Sequence, residues 1–398
     1  MTVKTSLISV AGRAGSGLPA LALSAVMSTI VLILVGSIVR VTGNGLGCPD
    51  WPLCYGQAIP PLLHRGEWVE FSHRLVGLAA SSQIVLVLVL AWRHHRDEKW
   101  VFRPALFANI LLVTQIVLGG IHVILEIPPV TGWIHTGNAM LIVGLIAVVL
   151  AIALIRADWR PSALAALGNR TFFGWLSAIT AGLYLVLLGA SFAVGGDASL
   201  KCPAGPTCAV TLGALRDLAA LLSGLWLAAA LANVIMATSA VSGGAASLLR
   251  GKPSYEWISW TTVAVYVLLL TGSYVTRSGA SLVCPGFPLC GPAPAGMAAL
   301  VNIQLLHRYT AYAVVALLLP IVYRLSSQRL GREVARFAHG LTVLLLLQIS
   351  LGAANILLKL PLWSRALHLT VGASIWVTVV MLWVAVTLGR GQLPRTAN

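Results

Sequence analysis

Charged residues are scarce in this chain. They form 9% of its 398 residues, against about 25% in soluble domains. So low a share excludes a water-soluble globular protein. Acidic residues are the rarer sign, 11 Asp and Glu against 26 Lys and Arg. Cysteines number six, too few and too regularly placed for a cysteine-rich scaffold. Histidine is missing from the whole interior stretch 136–306. What fills the chain instead is apolar sequence, 58% of all residues. Apolar runs of about 20 residues, each long enough to cross a bilayer as a helix, lie near 17–39, 71–93, 104–125, 132–155, 172–194, 216–240, 256–276, 301–324, 338–358 and 364–388. The expectation is an all-α integral membrane protein with about ten transmembrane helices.

The net charge of +15 suggests nucleic acid until the charges are placed. They cluster in short loops on one side: Arg93, Arg96, Lys99 and Arg103; Arg156, Arg160 and Arg170; Arg324, Arg329, Arg332 and Arg336. That is the positive-inside pattern. The partner it implies is anionic lipid headgroups, not nucleic acid. The first run is too long for a signal-peptide core and is expected to stay as a helix. Both termini are then cytoplasmic, in a multi-pass cell-membrane protein.

This orientation puts all six cysteines on the outer, oxidising side. They form three pairs of one spacing, Cys48/Cys54, Cys202/Cys208 and Cys284/Cys290, so a disulfide within each loop is expected. The loops belong to a repeat. Aligning 48-CPDWPLC-54 with 284-CPGFPLC-290 also aligns His73-Arg74 with His307-Arg308, 115-QIVLGGIHVILEIPP-129 with 348-QISLGAANILLKLPL-362, and His135 with His368. Runs one to four and seven to ten are thus two copies of one four-helix unit in the same orientation, so the repeat is parallel rather than inverted. Between them, 189-GASFAVGGDASLKCPAGPTC-208 resembles 271-TGSYVTRSGASLVCPGFPLC-290, but Leu225 stands where His307 stands. The expected domains are residues 1–160 as an N-terminal four-helix bundle, 161–250 as an extra degenerate hairpin, and 251–398 as a C-terminal four-helix bundle.

Of nine histidines, His64, His94, His95 and His339 fall in loops or at helix ends and read as interfacial. His73, His135, His307 and His368 occupy matched places about one turn inside the outer ends of their helices. A titratable side chain in a transmembrane segment is a functional hypothesis by default. Two imidazoles at one depth per bundle, with no adjacent cysteine or carboxylate cluster, suit a heme with two axial nitrogens. Structural zinc would call for four protein ligands. Arg40, Arg74, Arg277 and Arg308 lie near the same ends and are candidates for binding the two heme carboxylates through charge-assisted forks. The copies differ in acid–base content. Glu70 is matched by Gln304, His122 by Asn355 and Glu126 by Lys359. At i, i+3 from His73, Glu70 shares its helix face. Proton-handling groups therefore gather in the first copy, which is expected to do the chemistry while the second keeps a permanent cofactor.

The run 40-RVTGNGLGCPDWPLCYG-56, the following 70-EFSHRLVG-77 and one histidine on each even helix of two repeats resemble the heme A synthase family. The resemblance implies oxidation of a methyl group of heme O to the formyl group of heme A by successive hydroxylations, for cytochrome oxidase. It implies a substrate site at His73 and His135 with Glu70 catalytic, heme b on His307 and His368, and disulfides Cys48–Cys54 and Cys284–Cys290. Heme O synthase and oxidase assembly factors become candidate partners, with an unidentified electron donor or acceptor and homo-oligomers as one candidate assembly. The hairpin with Cys202 and Cys208 departs from the family's eight helices. Two other readings are a di-heme b-type electron carrier acting on quinol and a heme transporter or chaperone.

Overall fold

The computed structural model describes residues 17–60, 65–157, 252–292, 294–327 and 332–388. The apolar runs at 172–194 and 216–240, Cys202, Cys208, Leu225 and His64 lie outside them. Among the described residues there are eight long helices and no strand: α1 Leu18–Val41, α2 Arg65–His95, α3 Lys99–Ile124, α4 Pro129–Ala157, α5 Lys252–Arg277, α6 Ala298–Ser327, α7 Arg332–Leu357 and α8 Leu362–Leu388. All eight contain a stretch long and apolar enough to cross a membrane, and the protein is an all-α, multi-pass integral membrane protein.

Helix ends follow local chemistry. Gly17 takes a left-handed conformation (φ 66°) before α1, and Pro129, whose ring presets the helical φ, opens α4. The turns after α3 and α7 are alike: Ile127 N–H donates to His122 O and Leu360 N–H to Asn355 O, both at 2.8 Å. Each turn needs two consecutive left-handed residues, Glu126 and Ile127 in one, Lys359 and Leu360 in the other.

Helices α1 to α4 pack as one unit, with α1 against α2 and α4, and α3 against α2 and α4. Helices α5 to α8 pack as a second, with α8 against α5 and α7, and α6 against α5 and α7. The units meet where α1 touches α8, α4 touches α5 and α4 touches α8. Exchanging the two copies of the repeat maps this set of contacts onto itself. Where water is absent, polar groups must find partners inside the protein. Within the first unit Gln83 meets Ser24 and Ser28, and Asn109 donates to the Ile84 carbonyl. Between units, Trp376 Nε1 donates to Met140 O at 2.8 Å and Trp133 Nε1 to Leu270 O at 3.0 Å. Gly137 and Gly144 let the helices close up, since a Cβ there would meet Leu270 at 2.8 Å and the Trp376 ring at 3.0 Å.

Candidate functional site

The two cysteine loops are built to one plan. Disulfides Cys48–Cys54 and Cys284–Cys290 close them. The chain folds back at prolines, and its free carbonyls then need donors. One arginine supplies them in each copy. Arg74 donates to the carbonyls of Cys48 (3.3 Å), Asp50 (3.0 Å), Pro52 (3.2 Å) and Leu53 (2.7 Å). Arg308 donates to those of Cys284 (3.1 Å), Gly286 (2.8 Å), Pro288 (3.2 Å) and Leu289 (2.9 Å). The acceptors match position by position across the repeat. Arg74 and Arg308, read from sequence as carboxylate binders, are thus turned to the loops.

Glu70 completes the first loop. Its Oε1 accepts from Arg74 at 2.6 Å and its Oε2 from the Cys48 N–H at 2.8 Å. The carboxylate is buried, 4% exposed. In the second copy Gln304 is equally buried but its Oε1 has no partner. Asp50 closes the loop tip by accepting from Tyr55 N–H (2.6 Å) and Gly56 N–H (2.7 Å). The Gly56 and Tyr55 amides hold its carboxyl below the ordinary carboxylate range.

The four matched histidines come together in two pairs: His73 is an electrostatic neighbour of His135, and His307 of His368. Each lies against a glycine of the adjacent helix. A Cβ at Gly36 would stand 2.9 Å from His73 Nε2, one at Gly272 2.9 Å from His307 Cε1, one at Gly352 3.4 Å from His368 Cε1, and one at Gly119 3.6 Å from His135 Cε1. A side chain at Gly36 or Gly272 would take space the imidazole uses, whereas at Gly352 and Gly119 a Cβ would only touch the ring. A glutamine attends the second histidine of each pair: Gln115 Nε2 is 2.9 Å from His135 Nε2 and Gln348 Nε2 is 3.5 Å from His368 Nε2. The Nδ1 atoms of His135 and His368 are buried with no hydrogen-bond partner.

Asymmetry begins one residue further out. Asn138 donates to Gln115 Oε1 at 2.8 Å, which turns the glutamine amide toward His135. Val371 stands at Asn138's place in the second copy, and Gln348 Oε1 has no partner. His122 Nδ1 meets Thr131 Oγ1 at 2.7 Å, and its ring stacks on His135 with centroids 6.3 Å apart. Asn355 and Ser364 repeat that link at 2.7 Å without a titratable group.

Arg40 and Arg277 stand near the histidine pairs with a third arginine, Arg365; Arg40 is an electrostatic neighbour of both others. Sequence reasoning missed Arg365, Asn138 and the four glycines. The matched Gly36/Gly272 and Gly119/Gly352 positions were the available signal for the glycines. Outside the site, His94 and His339 are exposed and His95 meets Glu98 at 3.0 Å. Among the described residues no three His, Cys, Asp or Glu side chains gather. The arrangement can therefore offer a bound group two nitrogen ligands per half, with guanidinium groups beside them.

The sequence matches the profile of a family described as cytochrome oxidase assembly protein (COX15-CtaA) over residues 20–220 and 214–380. Proteins described as heme A synthase from Bacillus cereus (strain 03BB102) and Bacillus anthracis (strain A0248) are each 28% identical to it over 184 residues. The match spans 46% of this chain and 58% of the length of those relatives.

Proposed function

Because the chain belongs to the cytochrome oxidase assembly protein family, we propose that it is a heme A synthase, which oxidises a methyl group of heme O to a formyl group. The observation that carries this reading is the unequal pair of sites. Both halves present two histidines against glycines, but only the first adds Glu70, His122 and an oriented Gln115. Two equal electron carriers would not need that difference.

The donor set fits the groups concerned. Each half offers two imidazoles, a space kept open by glycine, and nearby arginines suited to carboxylates. His73 and His135 hold the substrate heme O; His307 and His368 hold heme b. Bound there, heme b supplies one-electron transfer. With water as the oxygen source, converting a methyl to a formyl group (R–CH3 + H2O → R–CHO + 4 H+ + 4 e−) releases four protons, two from the methyl carbon and two from the water, and four electrons that pass to an external electron acceptor. Glu70 is the proton-accepting group of this half, fixed by the Cys48 amide and Arg74 so that its position does not drift. His122, beside His135, is the second. The loop 48–54 covers the first pair: a Cβ at Gly120 would strike the Trp51 ring at 2.9 Å, which puts Trp51 on α3 next to the glycine that seats His135. The loops lie on the outer, oxidising side, with both termini cytoplasmic.

Expression with a heme O source, followed by extraction of total heme, tests this. Heme A should appear with the wild-type protein. Glu70→Gln, close in shape but unable to take a proton, should lower conversion by about 100-fold or more while the heme b spectrum remains. Unchanged heme O beside normally bound heme b in the wild type would instead support a di-heme electron carrier.

A further inference from the structure

Three arginines stand at helix ends where the two halves adjoin, Arg40 being an electrostatic neighbour of both Arg277 and Arg365, and among the described residues no acid pairs with them. Arg40 ends α1, Arg277 ends α5, and Arg365 opens α8. Among the described residues none of the three is ion-paired, and the Nε atoms of Arg40 and Arg277 are buried without a partner. Like charges held together away from water are unfavourable unless an anion joins them. Arginine's planar fork suits a carboxylate.

Each of two of these arginines leans toward the other half. Arg40, from the first half, donates through Nη1 to Thr276 Oγ1 of α5 at 2.9 Å and is an electrostatic neighbour of His368. Its own half gives it only Ser37 Oγ, at 3.4 Å. Arg277, from the second half, lies with its guanidinium against Gly132 of α4, where any Cβ would collide with it. Its histidine neighbours are His122 and His135 of the first half. The repeat does not explain this as duplication. Thr276 stands at Arg40's matched place, Val41 at Arg277's, and Gly132 at Arg365's. Each half has given up an arginine where the other supplies one, and glycine at 132 leaves the space the incoming side chain occupies.

We propose that the two halves exchange arginines: Arg277 binds the carboxylates of the heme seated on His73 and His135, and Arg40 those of the heme seated on His307 and His368. Arg365 adds positive charge to the cluster. The proposal rests on the two-heme reading above and deepens it. Neither half then forms a complete heme site without the other, and a change in one half is read out in the other.

The test uses the full-length protein purified in detergent with its heme b. Heme b per protein and its midpoint potential report on the second half; titration with heme O, followed by absorbance, reports on the first. Arg40→Gln should lower heme b content or its midpoint potential, because removing a nearby cation favours the oxidised form, and should leave heme O affinity unchanged. Arg277→Gln should weaken heme O binding about tenfold with heme b content and potential unchanged. Arg40→Lys and Arg277→Lys, which keep the charge, should recover part of each effect; a purely packing role would not show that recovery. The opposite pattern, Arg40→Gln acting on heme O and Arg277→Gln on heme b, would overturn the exchange, as would no effect of either. Wild-type protein that holds no heme b would defeat the two-heme reading itself, a result distinct from all of these.

Discussion

The space beside each histidine is set by a single glycine, and the four contacts are graded. A Cβ at Gly272 would stand 2.9 Å from His307, whereas one at Gly352 would stand 3.4 Å from His368. The first requires the imidazole to move; the second is near ordinary contact. Overpacking of this kind costs about 1–3 kcal/mol. Gly272→Ala should therefore lower heme b occupancy about tenfold, and Gly352→Ala should leave it close to wild type, read from the reduced-minus-oxidised spectrum per protein. Equal occupancy in both would remove the role given to these contacts. Asp50 gives a pH-dependent prediction. Its carboxyl is held below the usual range by the Gly56 and Tyr55 amides, so it stabilises the folded loop above its unfolded value. That contribution is lost as pH falls through the folded value. Protection of the Tyr55 and Gly56 amides, measured relative to their intrinsic exchange rates, should fall below about pH 4, and Asp50→Asn should abolish that pH dependence. At this scale the sequence was informative about which histidines come together and silent about their hydrogen-bond partners. Four histidines at matched spacings were legible because the repeat doubles the signal. That Arg74 and Arg308 face loop carbonyls was not, because the demand for donors arises only once the loop has folded back.

The helices were legible to within a few residues where apolar sequence runs up to the helix end, as in α1 and α8. Two starts lie six residues earlier than expected: α7, expected from 338, begins at Arg332, and α2, expected from 71, begins at Arg65. Its first turns carry Glu67, Glu70 and Arg74, which lower the hydropathy of that stretch. The loop they bind satisfies Glu70 and Arg74, so polar residues continue the helix where isolated sequence suggests an end. The paired left-handed residues after α3 and α7 were also invisible, since glycine or asparagine usually marks such positions. A non-glycine residue there costs roughly 1–2 kcal/mol. Lys359 is exposed and has φ 56°. Replacing it by glycine relieves the backbone without removing packing, offset in part by about 0.5–1 kcal/mol of unfolded-chain entropy. Lys359→Gly should raise stability by up to about 1 kcal/mol, seen as a higher apparent Tm in detergent. A fall in Tm would show that the lysine side chain contributes more than its conformation costs.

For the whole molecule, the parallel repeat announced two units of four helices, and the contacts among α1 to α4 and α5 to α8 have that form. How the units join had no periodic signal. It depends on tryptophans without counterparts in the other copy and on small residues that gain meaning only against a neighbour. Trp376 is the clearest case: its matched residue is Val143, its Nε1 donates to Met140 O across the interface, and its ring lies over Gly144 and 5.5 Å from the Tyr266 ring. Trp383, two turns along the same helix, instead donates to Ser259 Oγ within its own half, at 3.1 Å. The pair allows union of the halves to be separated from stability of one half. Removing a buried tryptophan side chain costs about 3–5 kcal/mol. With a protease site placed in 161–250 and cut in detergent, the wild-type halves should co-purify. Trp376→Ala should make them separate, and any heme b that is retained should be found on the second half, because His307 and His368 both belong to it. Trp383→Ala should lower the Tm of the second half and leave the halves together. If Trp376→Ala halves stay joined, or Trp383→Ala releases them equally, the junction is not held where these contacts put it. Under the exchanged-arginine arrangement, halves that separate should also lose heme b affinity, because Arg40 departs with the first half; the same cut sample reads both.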